Sequence, residues 1–169
     1  MTNKIAIITG GLSGIGLASA KALIQQGHTV VIGSRRCNTK EASSIQNSLD
    51  KKVIFYQLDV SDKKSVASFT NQIEKEFGSP EILINAAGIY EEAQIVDCDT
   101  THWHNQIDIN LTGPFLMTQA LMPGMIKKKF GRIINIASTA GRVGEAGYSG
   151  YCASKAGLIA LSKVTAIEG

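Results

Sequence analysis

The sequence predicts an α/β fold, a doubly wound parallel sheet of about five strands covered by helices. Two patterns predict it, and composition agrees. Short apolar runs alternate with longer amphipathic runs along the chain, as strand–helix–strand units require. The apolar runs lack a two-residue alternation: Ile5-Ala6-Ile7-Ile8 and Ile133-Ile134-Asn135-Ile136 are nearly continuous, the mark of strands buried on both faces. The 169 residues hold 17 glycines against 3 prolines, which suits tight turns after strands and close approach of backbone to a ligand.

Each element follows from a local pattern. Residues 4–9 form the first strand and 15–26 the first helix, which Gly27 ends. Residues 29–34 are the second strand and 40–49 the second helix. Residues 53–58 are the third strand, and 63–77 the third helix, stopped by Gly78 and Pro80. Residues 81–85 read as the fourth strand. The segment 100–128 is mostly helical, with Gly113-Pro114 disturbing its middle. Residues 132–137 are the fifth strand and 151–167 the last helix. No repeat, low-complexity tract or linker interrupts this order, so residues 1–169 read as one domain.

Composition narrows the function classes. With 44% apolar and 18% charged residues, the chain is neither disordered nor collagenous nor a coiled coil. The net charge of +3 is spread thinly, apart from Arg35-Arg36 and Lys127-Lys128-Lys129, and aromatics are only 6%; no nucleic-acid surface is expected. The lysine run suits the end of the long helix, where cations complement the dipole. Cys37, Cys98 and Cys152 are too few and too scattered for a disulfide framework or a zinc site, which points to a reducing compartment. His102 and His104 flank Trp103 at positions that do not share a helical face, so no metal is expected there, and Trp103 reads as packing. No run approaches the ~18 apolar residues of a membrane span. With an apolar strand at the start and no signal peptide, the expectation is a soluble, cytoplasmic protein without a membrane partner.

A nucleotide site is written after the first strand. Thr9-Gly10-Gly11-Leu12-Ser13-Gly14-Ile15-Gly16 opens the first helix. Its glycines at 10, 14 and 16 allow a tight turn, contact of backbone with phosphate and close helix packing, while the helix N-terminus offers N–H groups to a pyrophosphate. The second strand ends in Gly33-Ser34-Arg35-Arg36, without the carboxylate that would bond a ribose 2′-hydroxyl. Two guanidiniums instead suit a 2′-phosphate, which favours NADP(H), with NAD(H) possible; the alternative is that Arg35 and Arg36 are solvated loop charges. Asp59, followed by Val60, can accept from an adenine amino group or serve as a turn or helix N-cap residue. Asn85-Ala86-Ala87-Gly88 forms another tight turn beside the cofactor.

The chemistry is expected further on. Asn110 lies inside the long helical segment and Ser138 ends the fifth strand. Thirteen residues later comes Tyr151-Cys152-Ala153-Ser154-Lys155. Tyr151 and Lys155, at i and i+4, share a helix face. An ammonium beside a phenol favours the phenolate, which fits Tyr151 for general acid–base work. Cys152 points elsewhere on the helix. The segment 139–150 carries Gly141, Gly144, Gly147 and Gly150; it is either a wall of the substrate pocket, with contacts from Val143, Ala146 and Tyr148, or an ordinary mobile loop.

Together, residues 9–16, Asp59, residues 85–88, Asn110, Ser138, Tyr151 and Lys155 resemble the classical short-chain dehydrogenase/reductase family, in order and from end to end. Asn110-Leu111-Thr112-Gly113 and the stretch 131–138 look most like its 3-oxoacyl-carrier-protein reductases. The resemblance implies a Rossmann-like fold and interconversion of a ketone and a secondary alcohol with a nicotinamide cofactor. Tyr151 would exchange a proton with the substrate oxygen and Ser138 would position that oxygen. Lys155 would assist Tyr151 and hold the nicotinamide ribose, and Asn110 would anchor a relay water. The substrate would be a small-molecule or acyl-thioester carbonyl compound.

Family members continue with two more strands and a helical region, whereas this chain ends 14 residues past Lys155. The domain therefore reads as incomplete at its C-terminus, with the last two family strands missing and the fifth strand an uncovered edge. That leaves two alternatives of other classes, a non-catalytic nucleotide-binding fragment and a protein that pairs through the edge. The resemblance also implies a homo-oligomer built on the long helix and the last helix. Ala153, Ala156, Gly157 and Ala160 give the last helix a small-residue stripe for a partner or for the core.

Overall fold

The computed structural model describes residues 3–49 and 53–169. Five strands, β1 (Ile5–Thr9), β2 (Thr29–Ser34), β3 (Val53–Gln57), β4 (Ile82–Asn85) and β5 (Arg132–Asn135), form one parallel sheet in the order β3-β2-β1-β4-β5. Helices α1 (Gly14–Gln25), α2 (Lys40–Ser48), α3 (Lys63–Phe77), α4 (Thr100–Ile107), α5 (Gly113–Lys128) and α6 (Ser149–Glu168) connect and cover it. The expected fold class is the observed one.

The continuous apolar runs now have a cause. Along β1, Ile7 enters a core with Val31, Leu83, Phe69, Ile73, Met117 and Leu121. Its neighbours Ala6 and Ile8 enter a second core on the opposite face, with Val30, Ile32, Ile84 and Ala20. Adjacent side chains point to opposite faces, so a sheet covered twice needs both parities apolar.

Boundaries differ from expectation mainly at the chain's second half. The fifth strand stops at Asn135 rather than 137. Ser138 instead caps a 3-10 turn (Thr139–Gly141), its Oγ accepting from the Ala140 N–H at 3.2 Å. The last helix begins two residues earlier, at Ser149. The disturbance near Gly113-Pro114 is a π-helical turn, Asp108–Thr112, in which the Gly113 N–H donates to Asp108 O, five residues back. Pro114 has no N–H for the carbonyl of Asn110 and its ring would clash there, so the turn widens. A Cβ on Gly113 would also meet Val60 Cβ at 2.9 Å.

The small-residue stripe of α6 divides. Gly157 faces inward, where a Cβ would meet Leu111 Cδ2 at 2.7 Å, while Ala156 and Ala160 are exposed. β5 is a sheet edge on which Ile134 is 48% exposed. Beside it runs a groove of about 520 Å³ lined by Met122, Ile126, Phe130 and Ile133. Cys37, Cys98 and Cys152 are free thiols. Among the described residues no helix is long and apolar enough to cross a membrane, and no three His, Cys, Asp or Glu side chains gather to hold a metal.

Candidate functional site

The sheet order reverses between β1 and β4, and a cleft of about 580 Å³ opens beyond the carboxyl ends of β1, β2 and β4. That switch point is where open α/β sheets bind ligands. Its floor is the turn from β1 into α1. Gly10 stands at φ +69° with its N–H on Gly33 O at 3.0 Å, and a Cβ there would lie 2.7 Å from Ala87 Cα. A Cβ on Gly16 would lie 2.6 Å from Gly10 O, so the helix start rests directly on the turn. Any larger residue at either position would fill the cradle or push its walls apart.

Most nucleotide residues named from the sequence line this cleft: Gly10, Leu12, Ser13, Gly14, Ile15, Gly16, Ser34, Arg35, Arg36, Asp59, Val60, Ala86, Ala87 and Gly88. Ser34 Oγ accepts the Arg36 N–H at 3.1 Å, which shapes the turn carrying both arginines. Asp59 takes its turn role while lining the cleft: Oδ1 accepts from the Ser61 N–H at 3.0 Å and from Ser61 Oγ at 2.6 Å. The N-cap of α3 is Asp62, which accepts from the Lys64 N–H.

Asn85 does not line the cleft. It is buried and donates through Nδ2 to Asn135 Oδ1 at 2.8 Å, and Asn135 in turn donates to Ser162 Oγ at 2.9 Å, tying β4, β5 and α6 together. Five lining residues escaped the sequence reading: Gly33, Leu58, Ile89, Ile109 and Ile136. Gly33 carried a usable signal, a glycine at the end of an apolar strand; a Cβ there would lie 2.4 Å from Leu58 Cδ2. The other four look like ordinary core residues.

Of the residues expected to be catalytic, Tyr151, Lys155 and Asn110 come together beside Gly88 and Ile136, which line the cleft. Lys155 is 6% exposed, and Nζ donates to Ile136 O at 2.7 Å. Burial holds its ammonium below the usual lysine range. Nζ lies 5.5 Å from the centroid of the Tyr151 ring, so the i, i+4 pair is real. The 3-10 turn that Ser138 caps packs on the same helix, since a Cβ on Gly141 would lie 2.7 Å from the Lys155 carbonyl carbon.

Asn110 is fully buried in the π turn. Its Oδ1 accepts from the Ile89 N–H at 2.9 Å, and Nδ2 donates to Ile89 O at 2.8 Å and Ser154 Oγ at 3.2 Å. A Cβ on Gly88 would lie 3.2 Å from Asn110 Oδ1 and 3.7 Å from Lys155 Nζ, so the loop after β4 crosses over both.

Residues 139–150 lead from the 3-10 turn into α6. Ala93 N–H donates to Gly147 O at 2.9 Å, which joins this segment to the loop after β4. Tyr148 packs against Tyr151 and Tyr90, with centroids 6.5 and 6.1 Å away, while Val143 and Ala146 are exposed. The charge of Glu92, whose Oε2 accepts from Tyr148 Oη at 3.4 Å, raises the Tyr148 phenol above its ordinary range.

Comparison with known proteins agrees with this geometry. The family model described as short chain dehydrogenase matches residues 4–169. The chain is 38% identical over 169 residues to a D-beta-hydroxybutyrate dehydrogenase of Cupriavidus necator, covering 99% of this chain and 66% of that protein. It is 39% identical over 168 residues to the 3-oxoacyl-[acyl-carrier-protein] reductase FabG of Haemophilus influenzae, covering 99% and 69%. A crystal structure of a short-chain dehydrogenase from Streptomyces avermitilis superposes with a TM-score of 0.93 at 29% identity, over 99% of this chain and 61% of that one. The chain thus spans about two thirds of the length of these relatives. A glycine cradle at the switch point, a buried lysine beside a tyrosine on α6 and a family match over residues 4–169 have one reading: the chain belongs to the short-chain dehydrogenase family.

Proposed function

We propose that this chain carries the cofactor and proton-transfer residues of an NAD(P)(H)-dependent oxidoreductase that interconverts a ketone and a secondary alcohol. The observation that carries the reading is the buried Lys155, held on Ile136 O with its ammonium 5.5 Å from the Tyr151 ring. A dinucleotide fits the cleft, because Gly10, Gly16 and Gly88 leave room that side chains would fill and the first turn of α1 points N–H groups into it. Arg35 and Arg36 line the end of the cleft where a 2′-phosphate would lie, which supports NADP(H) over NAD(H). When bound, the nicotinamide supplies or accepts the hydride.

The chain's own residues handle the proton. In reduction, Tyr151 Oη gives its proton to the carbonyl oxygen; in oxidation it takes the proton of the alcohol. Ser138 Oγ bonds the same oxygen and fixes its place. Lys155 keeps positive charge beside the ring, so negative charge on Tyr151 is stabilised after the proton leaves. The side chain of Asn110 is engaged by Ile89 and Ser154, so a relay water would sit at its main-chain carbonyl, to which Pro114 brings no N–H.

The substrate is a 3-oxoacyl thioester or a related small ketone, in line with the names of two relatives. Free thiols at Cys37, Cys98 and Cys152 suit a cytoplasmic setting. Exposed Phe115 and Val164, on α5 and α6, support association of copies through those helices.

The test follows absorbance of NADPH and NADH with acetoacetyl thioester, acetoacetate and simple ketones. Tyr151→Phe is expected to lose at least about a hundredfold in turnover with cofactor affinity retained. Unchanged turnover would overturn the role of Tyr151. Cofactor binding without turnover by any substrate would favour the second reading, a non-catalytic nucleotide-binding domain.

A further inference from the structure

We propose that Gln106 is a positioning residue for the ketone–alcohol reaction: it fixes the loop after β4 so that Tyr90 packs on Tyr151 and meets the group attached to the substrate carbonyl. This rests on the function proposed above.

Gln106 is 2% exposed, an expensive place for an amide unless its hydrogen bonds are made. Both are made, and to one residue. Oε1 accepts from the Glu91 N–H at 3.1 Å, and Nε2 donates to Glu91 O at 3.3 Å. Four residues on, Asn110 treats Ile89 in the same way, at 2.9 and 2.8 Å. Two side-chain amides thus stand where a neighbouring strand would stand, taking the N–H and C=O of alternate residues 89 and 91. The residue between them is Tyr90.

Tyr90 is 67% exposed, yet its ring centroid lies 6.2 Å from that of Tyr151 in an edge-to-face arrangement and 6.1 Å from that of Tyr148. One edge of the ring is therefore fixed against the proton-transfer residue, and the remainder is open. A rigid aromatic in that position offers contact area at little entropic cost to whatever sits at Tyr151.

Gln106 also touches the other partner. A Cβ on Gly150 would lie 2.9 Å from Gln106 Nε2, so the first turn of α6 rests on the amide just before Tyr151. The same side chain spaces both elements whose tyrosines meet. Asn110 cannot do this alone, because it grips the loop on the far side of Tyr90 and reaches α6 at Ser154.

The experiment uses Gln106→Met, which keeps the length and removes both hydrogen bonds, Tyr90→Leu, and the double variant. In Gln106→Met, KM for the ketone should rise about tenfold, with the cofactor dissociation constant unchanged. Tyr90→Leu, at an exposed site, should raise KM by a similar factor. The double variant should be no worse than either single one, because both act through the same ring. Gln106→Glu, which keeps the acceptor for the Glu91 N–H, should fall between wild type and Gln106→Met.

Hydrogen exchange reads the clamp without catalysis: the Glu91 amide should lose protection in Gln106→Met while the Ile89 amide, held by Asn110, keeps it. Additive effects, or a wild-type KM in either single variant, would overturn the proposal. So would unchanged protection at Glu91. If the wild type reduces no ketone, the function proposed above fails, and the exchange measurement still decides whether Gln106 sets the loop. If Gln106→Met does not fold, Tyr90→Leu and Gln106→Glu carry the decision.

Discussion

Lys155 is the buried cation of the site, and its environment sets a measurable pH dependence. Burial lowers its ammonium from the ordinary value of 10.5, so between the folded and unfolded values the unfolded chain binds more protons. Stability from this group therefore rises with pH across that window. Below the folded value the cost of burying the charge is present in full. Lys155→Met should raise the unfolding midpoint at neutral pH, and the gain should shrink as pH approaches 10.5. Unfolding followed at several pH values from neutrality upward checks this, and a gain that grows with pH would reverse the assignment. The same substitution should abolish turnover, which separates the stability cost of burying the charge from its chemical role. Tyr148 behaves oppositely at the same scale, since Glu92 favours its neutral phenol.

At the scale of elements, the turn into α1 and the π turn hold the two halves of the site. Gly10→Ala places a Cβ 2.7 Å from Ala87 Cα in a left-handed conformation, so both strain and overlap apply. The expected loss is about 2–4 kcal/mol together with nucleotide binding. Gly14→Ala meets open space at φ +52° and should cost only about 1 kcal/mol. Denaturant midpoints for the two variants compare them directly; equal losses would show that overlap with Ala87 does not matter. The glycine turn was legible because its residues are contiguous and follow a strand. Tyr151 and Lys155 were legible because helical spacing puts them together. The π turn was not, since hydrophobic periodicity does not distinguish a bond to the fourth residue from a bond to the fifth; only Gly113-Pro114 marked a disturbance. Asn85 looked like a cofactor residue because it adjoins Ala86 and Ala87, yet strand alternation turns its side chain to Asn135. The Gln106 clamp left no pattern at all, because it joins two segments through backbone groups, which every sequence has.

At the scale of the whole molecule, the sheet is well sealed on β1 and open along β5. Arg132 and Ile134 are exposed there beside an apolar groove. An exposed edge with an apolar residue is a pairing liability. Ile134→Lys should reduce concentration-dependent light scattering without shifting the circular dichroism spectrum, and unchanged scattering would locate association elsewhere. The strand order has a further consequence, for the sequence of events in folding. β1, β2 and β3 pair with near neighbours along the chain, so that half of the sheet can form early during synthesis. Gly10, by contrast, gains its contact with Ala87 only after β4 has inserted beside β1, and Lys155 finds Ile136 only after β5 has joined. The nucleotide cradle is thus encoded at the very start of the chain and finished near the end of assembly. A nucleotide that favours the closed cradle acts on the last steps of folding and slows unfolding more than it speeds refolding.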